Sequence, residues 1–383
     1  MNNKLLSALL LAVVLAVMAW KVSTDKAPQT EVTRAALYVG LLDQLNEVAR
    51  IELRTAKAHT TLRREGEQWT VANLDNFPAE PAAIKRLLLG LADLQIVETK
   101  TSLPENYGRI GVADAGDGSD SLQVELHDAK DARLLAVLVG HKREGGQQSQ
   151  RYVRRVGEPQ SYLVDGKVEA GADAITWLDA RIVDIDTARV RRVSIAPGDG
   201  AAVTIVKNKA RDNFFELKDV PAGKVPRSKA LVSSLGSLLL DLRFTHVAAA
   251  TRFTAAKPLR QTTVQTFDGM VVRIDEFEAD GKRYARFDFA YDASLVDATA
   301  TGEAAAVKAD EPPLVPGAEP NKPAESAAPK ESVEQEVSRL KARSAAWVYE
   351  LPDFKQRLLT KRLDDLVQTP GQDETPAPET QTP

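Results

Sequence analysis

Residues 48–94 read VARIELRTAKAHTTLRREGEQWTVANLDNFPAEPAAIKRLLLGLADL, and this stretch sets the fold class. Val48, Ile51 and Leu53 come first, then Thr61 and Leu62, then Trp69 and Val71, with charged residues between them. Apolar positions that alternate with polar ones over such short runs predict the half-exposed strands of a meander. Pro78-Ala79-Glu80-Pro81 then punctuates the chain. Beyond it Ile84, Leu87, Leu88, Leu91 and Leu94 recur at helical spacing with Lys85, Arg86 and Asp93 off the stripe, which predicts one amphipathic helix.

The same order returns about 140 residues later. Val190, Val193 and Ile195 lead to Val203 and Ile205, and then to Phe214, Phe215 and Leu217. Pro221 and Pro226 precede a second leucine helix, expected from Leu231, Leu235, Leu238, Leu239 and Leu242. The later parts also correspond. Strands are expected at 122–126, 134–139, 152–153 and 162–164, with a short closing helix at 174–184; their counterparts are 263–267, 270–274, 284–289 and 347–351, with a closing helix at 354–367. Two copies of one unit, 37–186 and 187–369, are the economical reading. Residues from about 297 to 330 are rich in Ala, Pro, Glu and Thr without apolar periodicity, which predicts a disordered insertion in the second copy. A helix is expected to restart at 334–343, and the Pro/Thr/Gln-rich tail 370–383 is expected to be disordered.

Composition narrows the class. With 27% charged and 43% hydrophobic residues, the bulk of the 383-residue chain belongs with soluble globular proteins of two or three domains. Fifty basic against 54 acidic side chains leave a net charge of -4, so no overall basic field attracts nucleic acid. Cysteine is absent, which removes disulfides, thiolate metal sites, thiol nucleophiles and a lipoprotein's acylated cysteine together.

Residues 5–20 are apolar apart from Ser7, begin after Lys4 and end at Trp20 and Lys21. A helix of that length covers about 24–27 Å, a little short of the ~30 Å hydrocarbon core, and Trp20 and Lys21 suit the interface. Val17-Met18-Ala19 is a poor signal-cleavage site, so residues 1–22 read as a stub and an uncleaved transmembrane anchor, followed by a linker at 23–36. Charges flanking the run are nearly balanced, Lys4 and the α-amino group against Lys21 and Lys26; the short stub before a long polar region points to a signal anchor with its bulk exported. The expected architecture is therefore α+β: an N-terminal transmembrane helix, then two tandem repeats of mainly antiparallel sheet with amphipathic helices.

Several local patterns carry a family likeness: Val48-Ala49-Arg50-Ile51-Glu52-Leu53, Gly66-Glu67-Gln68-Trp69-Thr70-Val71, Leu91-Ala92-Asp93-Leu94, Tyr107-Gly108, Leu138-Val139-Gly140, Arg151-Tyr152-Val153 and Trp177-Leu178-Asp179. Each is common alone; their order, repeated behind an anchor, is specific. The chain resembles the bacterial membrane-anchored domain-of-unknown-function 4340 family, often associated with gliding-motility-type ABC transporters. The resemblance covers 37–367 apart from the insertion, implies an auxiliary, transport-linked envelope role, and brings no catalytic residues with it.

No constellation reads as an active site, a cofactor site or a metal site. His59, His127, His141 and His246 are scattered without ligand spacing and read as surface or edge-strand residues. Asp184-Ile185-Asp186-Thr187 is one residue short of the phosphatase spacing and reads as a helix end or a linker. Asp114, Asp117 and Asp120 with Glu125 place Gly116 and Gly118 where calcium needs oxygen ligands, and read as a solvated turn. The stretch from Gly140 to Gly146 lacks the Lys and Ser/Thr that reach phosphate and magnesium in a phosphate loop, and reads as a hairpin turn. Arg151, Arg154 and Arg155, with Arg189, Arg191 and Arg192, read as solvated strand faces rather than an anion patch. Trp69, Trp177, Phe214, Phe215 and Trp347 read as core anchors.

The expected function is a non-enzymatic, extracytoplasmic interaction protein tethered to a bacterial inner membrane, with an ABC transporter permease or another envelope protein as partner and no nucleic acid. The alternative is a protein that captures a ligand or glycan and presents it to a transporter. In cell fractionation the intact chain should pellet with membranes, resist a salt wash and require detergent. Recovery of the intact chain from the soluble fraction would contradict the tether.

Overall fold

The computed structural model describes residues 35–116, 118–145, 149–254, 256–296 and 331–370. The apolar run at 5–20, the expected insertion at 297–330 and all but the first residue of the tail lie outside the described residues. Among the described residues no helix is long and apolar enough to cross a membrane. The architecture is α+β with mainly antiparallel sheet. Residues 35–70 and 79–174 form one compact unit, and 71–78 with 175–296 and 331–370 form a second.

The first sheet has ten strands: β1 (Ala35–Ala36), β2 (Val48–Arg54), β3 (His59–Glu65), β4 (Gln68–Val71), β5 (Phe77–Pro78), β6 (Gln95–Thr99), β7 (Leu122–Asp128), β8 (Arg133–Lys142), β9 (Gln150–Arg155) and β10 (Ser161–Asp165). Their order is β1-β6-β10-β9-β8-β7-β2-β3-β4-β5. Helix α1 (Pro81–Ala92) lies between β5 and β6 in the chain and buries Ile84, Leu87, Leu88 and Leu91, the expected stripe. Pro81 suits its first turn, where the missing N–H would have no helical partner. Gly90 lets the helix approach the chain closely, since a Cβ there would stand 2.1 Å from the Lys167 carbonyl oxygen.

In the second unit the strands are β11 (Arg181–Val183), β12 (Val190–Pro197), β13 (Val203–Val206), β14 (Glu216–Leu217), β15 (Val225–Pro226), β16 (Leu242–Arg243), β17 (His246–Ala249), β18 (Arg260–Thr266), β19 (Met270–Ala279), β20 (Lys282–Tyr291), β21 (Trp347–Glu350) and β22 (Val367–Gln368). Eight of them form a sheet in the order β14-β13-β12-β18-β19-β20-β21-β17. In the first sheet the run β4-β3-β2-β7-β8-β9-β10-β6 has the same order relative to the chain. The joining pairs match in detail: β2 with β7 sets Ile51 against Leu126, β12 with β18 sets Val193 against Val264, and the register shifts between Val48 and Arg50 in one and between Val190 and Arg192 in the other. The pairing is thus interrupted at the same place in both opening strands.

Three expected helices are shorter than their stripes suggested. The second leucine helix, α2 (Lys229–Ser234), ends in a 3-10 turn at Leu235–Ser237. Ser234 Oγ donates to the Leu231 carbonyl at 2.7 Å and Ser237 Oγ to that of Ser234 at 2.7 Å, so side chains bond the backbone locally. Lys355 Nζ then donates to the Ser237 and Leu240 carbonyls at 2.6 and 2.8 Å, and Leu242 falls in β16. The expected closing helix at 174–184 is a 3-10 turn at Ala174–Trp177 followed by β11, which pairs with β16. The one expected at 354–367 is α4 (Asp353–Leu359), a single turn at Leu363–Leu366, and β22. Before it, α3 (Val333–Ser344) forms as expected, its start fixed by a capping box between Ser332 and Gln335.

Arg154 corrects a solvated-face expectation: it is 4% exposed. Its Nε donates to the Val112 carbonyl at 2.9 Å, its Nη1 to that of Glu158 at 3.0 Å, and its Nη2 to the Asp114 carboxylate. Because Asp114 is largely exposed, the two carbonyls are the contacts that matter. Arg154→Met should cost about 2–4 kcal/mol in urea unfolding and Asp114→Asn less than about 1 kcal/mol, since only the first strands the buried Val112 carbonyl. Equal costs would contradict that division.

Candidate functional site

The residues singled out by sequence do not converge. His59 Nε2 stands 3.9 Å from Glu52, and His141 Nε2 3.6 Å from Asp120. His127 is buried, contrary to the surface expectation, and its Nε2 lies 3.1 Å from Glu125 on the same strand. His246 packs near Tyr284, and burial holds its pKa below the usual histidine range. Asp114, Asp120 and Glu125 thus each meet a different partner, Arg154, His141 and His127; Asp117 is outside the described residues. Among the described residues no group of three or more His, Asp or Glu is placed to hold a metal ion.

The remaining motifs are structural in the same way. Asp184 accepts the Asp241 amide at 2.8 Å and Asp186 that of Ala188 at 2.8 Å, as linker residues do. Gly140 ends the apolar part of β8, where a Cβ would stand 2.3 Å from the Ile110 carbonyl oxygen; β8 and β9 form the hairpin, and Gly146 is outside the described residues. Arg151 and Arg155 donate to the Val168 and Leu37 carbonyls at 3.3 and 2.6 Å. Arg189 bridges Asp268 and Glu336 at 2.8 and 2.9 Å.

A groove of about 940 Å³ opens in the second unit beside β14, the terminal strand of its sheet. Its floor is apolar, made by Phe215, Leu217, Val220 and Val232. Phe215 is buried, with its amide donating to Ser233 Oγ at 2.9 Å, and Gly236 leaves room for its ring. Lys207 stands over that ring at 4.7 Å, donates from Nζ to the Thr187 carbonyl at 3.0 Å, and has its pKa lowered by burial.

The rim is cationic. Lys209, Arg211, Lys224 and Lys229 face the groove against Asp212 and Glu216. Both carboxylates are engaged: Asp212 accepts the Lys209 amide at 2.9 Å, and Glu216 accepts Lys218 Nζ at 3.0 Å. Arg191, Arg192 and Lys207 line a second, smaller cleft of about 300 Å³ that shares Asn208 with the groove. Phe214 completes the rim and is 51% exposed, although sequence places it in the core with Phe215. Both precede β14, and only Phe215 turns inward, so the expected strand does not extend back to the pair. No signal in the sequence joins the scattered lysines to it.

The surface offers an apolar floor, one exposed aromatic and excess positive charge. Residues 69–262, which are 194 of the chain's 383, match the family described as Domain of unknown function (DUF4340). The chain belongs to that family. No curated protein matches the chain. The DUF4340 match runs from β4 into β18 and takes in every residue that lines the larger groove.

Burial separates the two phenylalanines energetically. Phe215→Ala should cost about 3–5 kcal/mol of stability and Phe214→Ala less than about 0.5 kcal/mol, measured by denaturant unfolding. A large loss for Phe214→Ala would place that ring in the core and remove it from any binding surface.

Proposed function

We propose that this DUF4340 protein is a non-enzymatic interaction module, tethered to a bacterial inner membrane by residues 5–20, whose bulk lies outside the cytoplasm and serves an ABC-type transport system. The observation that carries the binding role is the groove beside β14, where Phe214 is exposed and cations outnumber anions around an apolar floor. Exposed aromatics beside a desolvated floor are the usual anchors of protein interfaces, and rim charges set partner choice and encounter rate. The transport link is what the sequence resemblance implies. The apolar run at 5–20, and the exposed Val39 and Leu42 that follow it in sequence, support a position at a membrane surface.

The two units are read as copies of one ancestral unit. Their strand orders correspond and their opening strands bulge at the same place. The copies have then diverged in use, since the groove belongs to the second.

A second reading has one observation in its favour: a groove of about 940 Å³ has room for a small anionic ligand or glycan as well as for a protein segment. Affinity capture from detergent-solubilised membranes distinguishes them. The wild-type chain should recover a transporter permease, and a Phe214→Ala/Lys229→Glu variant should lose at least about tenfold of it, as expected when a hot-spot anchor worth more than 1.4 kcal/mol is removed. Equal recovery by both chains would rule out the groove as the contact, and a thermal shift with anionic periplasmic metabolites would favour the ligand reading.

A further inference from the structure

We propose that the smaller cleft, at the start of β12, is a binding site for a phosphate group, either inorganic phosphate or that of a small soluble phosphate ester, held by Arg191, Arg192 and Lys207. The groove beside β14 shares one lining residue with this cleft, Asn208, and Phe214 lines the groove alone, so the two sites stand or fall separately.

Strand register assembles the cleft. Arg192 stands opposite Val206 of β13 on one side and Gln265 of β18 on the other, so the three side chains share a face of the sheet. Val190 is opposite Thr266 and Arg192 opposite Gln265, which sets two residues of β12 against one of β18. Adjacent residues of an uninterrupted strand face opposite ways; the extra residue re-aims Arg191, and both arginines line the one cleft. Just past β13 the Lys207 amide donates to the Arg191 carbonyl at 2.8 Å, which brings Lys207 and Asn208 to the same place.

Three of the lining residues are cations and none is Asp or Glu. Lys207 is buried, with its Nζ donating to the Thr187 carbonyl at 3.0 Å. Burial lowers its pKa although Asp212 and Asp186 act in the other direction. Those two carboxylates are not part of the cleft lining, and they accept the backbone amides of Lys209 and Ala188. Arg191 Nη1 donates to the Leu295 carbonyl at 3.3 Å, and its guanidinium stands 5.8 Å from the centre of the Phe267 ring, contacts that position the group without neutralising it. Among the described residues no carboxylate pairs with Arg191, Arg192 or Lys207, whereas the adjacent Arg189 bridges Asp268 and Glu336. At the same step of β2, Arg50 pairs with Glu52 and Asp131. In β12 the residue two places beyond Arg192 is Ser194, so the uncompensated charge is particular to this strand and not a by-product of the pairing.

The dimensions and the charge together select the ligand. A cleft of about 300 Å³ is at the small end of ligand pockets and takes a compact anion more readily than a peptide. Guanidinium forks match phosphate oxygens through paired N–H···O bonds, and a phosphate monoester carries a charge of about −1.5 to −2 near neutral pH. A single carboxylate would leave more of the three cations uncompensated. Gln265 and Asn208 add neutral donors, although Asn208 Nδ2 also donates to Glu216 Oε1 at 3.3 Å.

The test titrates inorganic phosphate and glycerol 3-phosphate separately into the full chain in detergent, by calorimetry at constant ionic strength, with acetate as the monovalent control. At least one of the two phosphates should bind at a single site per chain, at least about tenfold more tightly than acetate. A preference for glycerol 3-phosphate identifies an ester as the ligand, and a preference for inorganic phosphate identifies the free ion. Arg192→Glu should weaken binding at least about tenfold with unchanged thermal unfolding, and Gln265→Glu, which brings a carboxylate into the cleft from the neighbouring strand, should do the same. Phe214→Ala should leave binding unchanged. Absence of binding by both phosphates, affinity no better than that of acetate, or binding insensitive to both glutamate variants overturns the proposal. Loss of binding in Phe214→Ala also overturns it, by placing the phosphate in the groove. Capture by phosphatidic acid vesicles without binding of either soluble phosphate overturns it as well, since the contact is then with a membrane surface.

Discussion

The constraint on which each unit depends is the pairing of its opening strand with a strand that returns after the helix, β2 with β7 and β12 with β18. Hairpin neighbours find each other through short turns, but these pairs bring together residues far apart in sequence and must offset the entropy of closing a long loop. Burial does so. Ile51 and Leu53 face Leu126 and Val124, and Val193 faces Val264, all of them almost completely buried. A slip of one residue would turn each set outward, so the alternation that defines the strand also fixes the register. With the joining pair set, β8 to β10 and β19 to β21 add on as successive antiparallel neighbours.

The groove follows from a difference at one end of this shared order. In the first sheet β4 has four residues and is followed outward by β5. In the second, β14 has two, and β15 is drawn away to pair with β22. The shortened edge leaves the chain on either side of β14 to wrap an opening instead of a further strand. Short edge strands flanked by charge are a common defence against unwanted pairing, and Glu216 with Lys218 supplies that charge here. The same feature that protects the edge thus opens a recess beside it.

Much of the strand layout was legible because alternation reports half-burial directly: Val48, Ile51 and Leu53, or Val203 and Ile205, read as strands and are strands. The strands that close the order beyond β10 and β21 were not. β6 and β17 carry no clear alternation, and their pairing with β10 and β21 depends on neighbours distant in sequence. The leucine stripe at 231–242 misled because spacing counts apolar residues but ignores competing donors: Ser234, Ser237 and the distant Lys355 take the carbonyls that a longer helix would use. Arg154 misled for a related reason. Its charge is the local signal, whereas its burial is set by the carbonyls of Val112 and Glu158, which no pattern in the sequence brings near it. The groove was illegible for the same cause, since its lysines come from loops and turns whose meeting is a tertiary fact.

Its composition carries a further consequence for selectivity. The floor rewards apolar area and the rim rewards negative charge, and these act on different quantities. Burial against Phe214, Leu217 and Val220 governs how long a ligand stays, while the exposed lysines act chiefly on encounter and fade as salt screens them over about 8–10 Å. An acidic ligand without large apolar groups draws mainly on the screened component. A partner that also presents an aromatic or leucine draws on both, so the difference in affinity between the two is set by the apolar contact, which salt does not screen. Discrimination therefore comes from the exposed ring at 214, and the lysines alone would admit any anion.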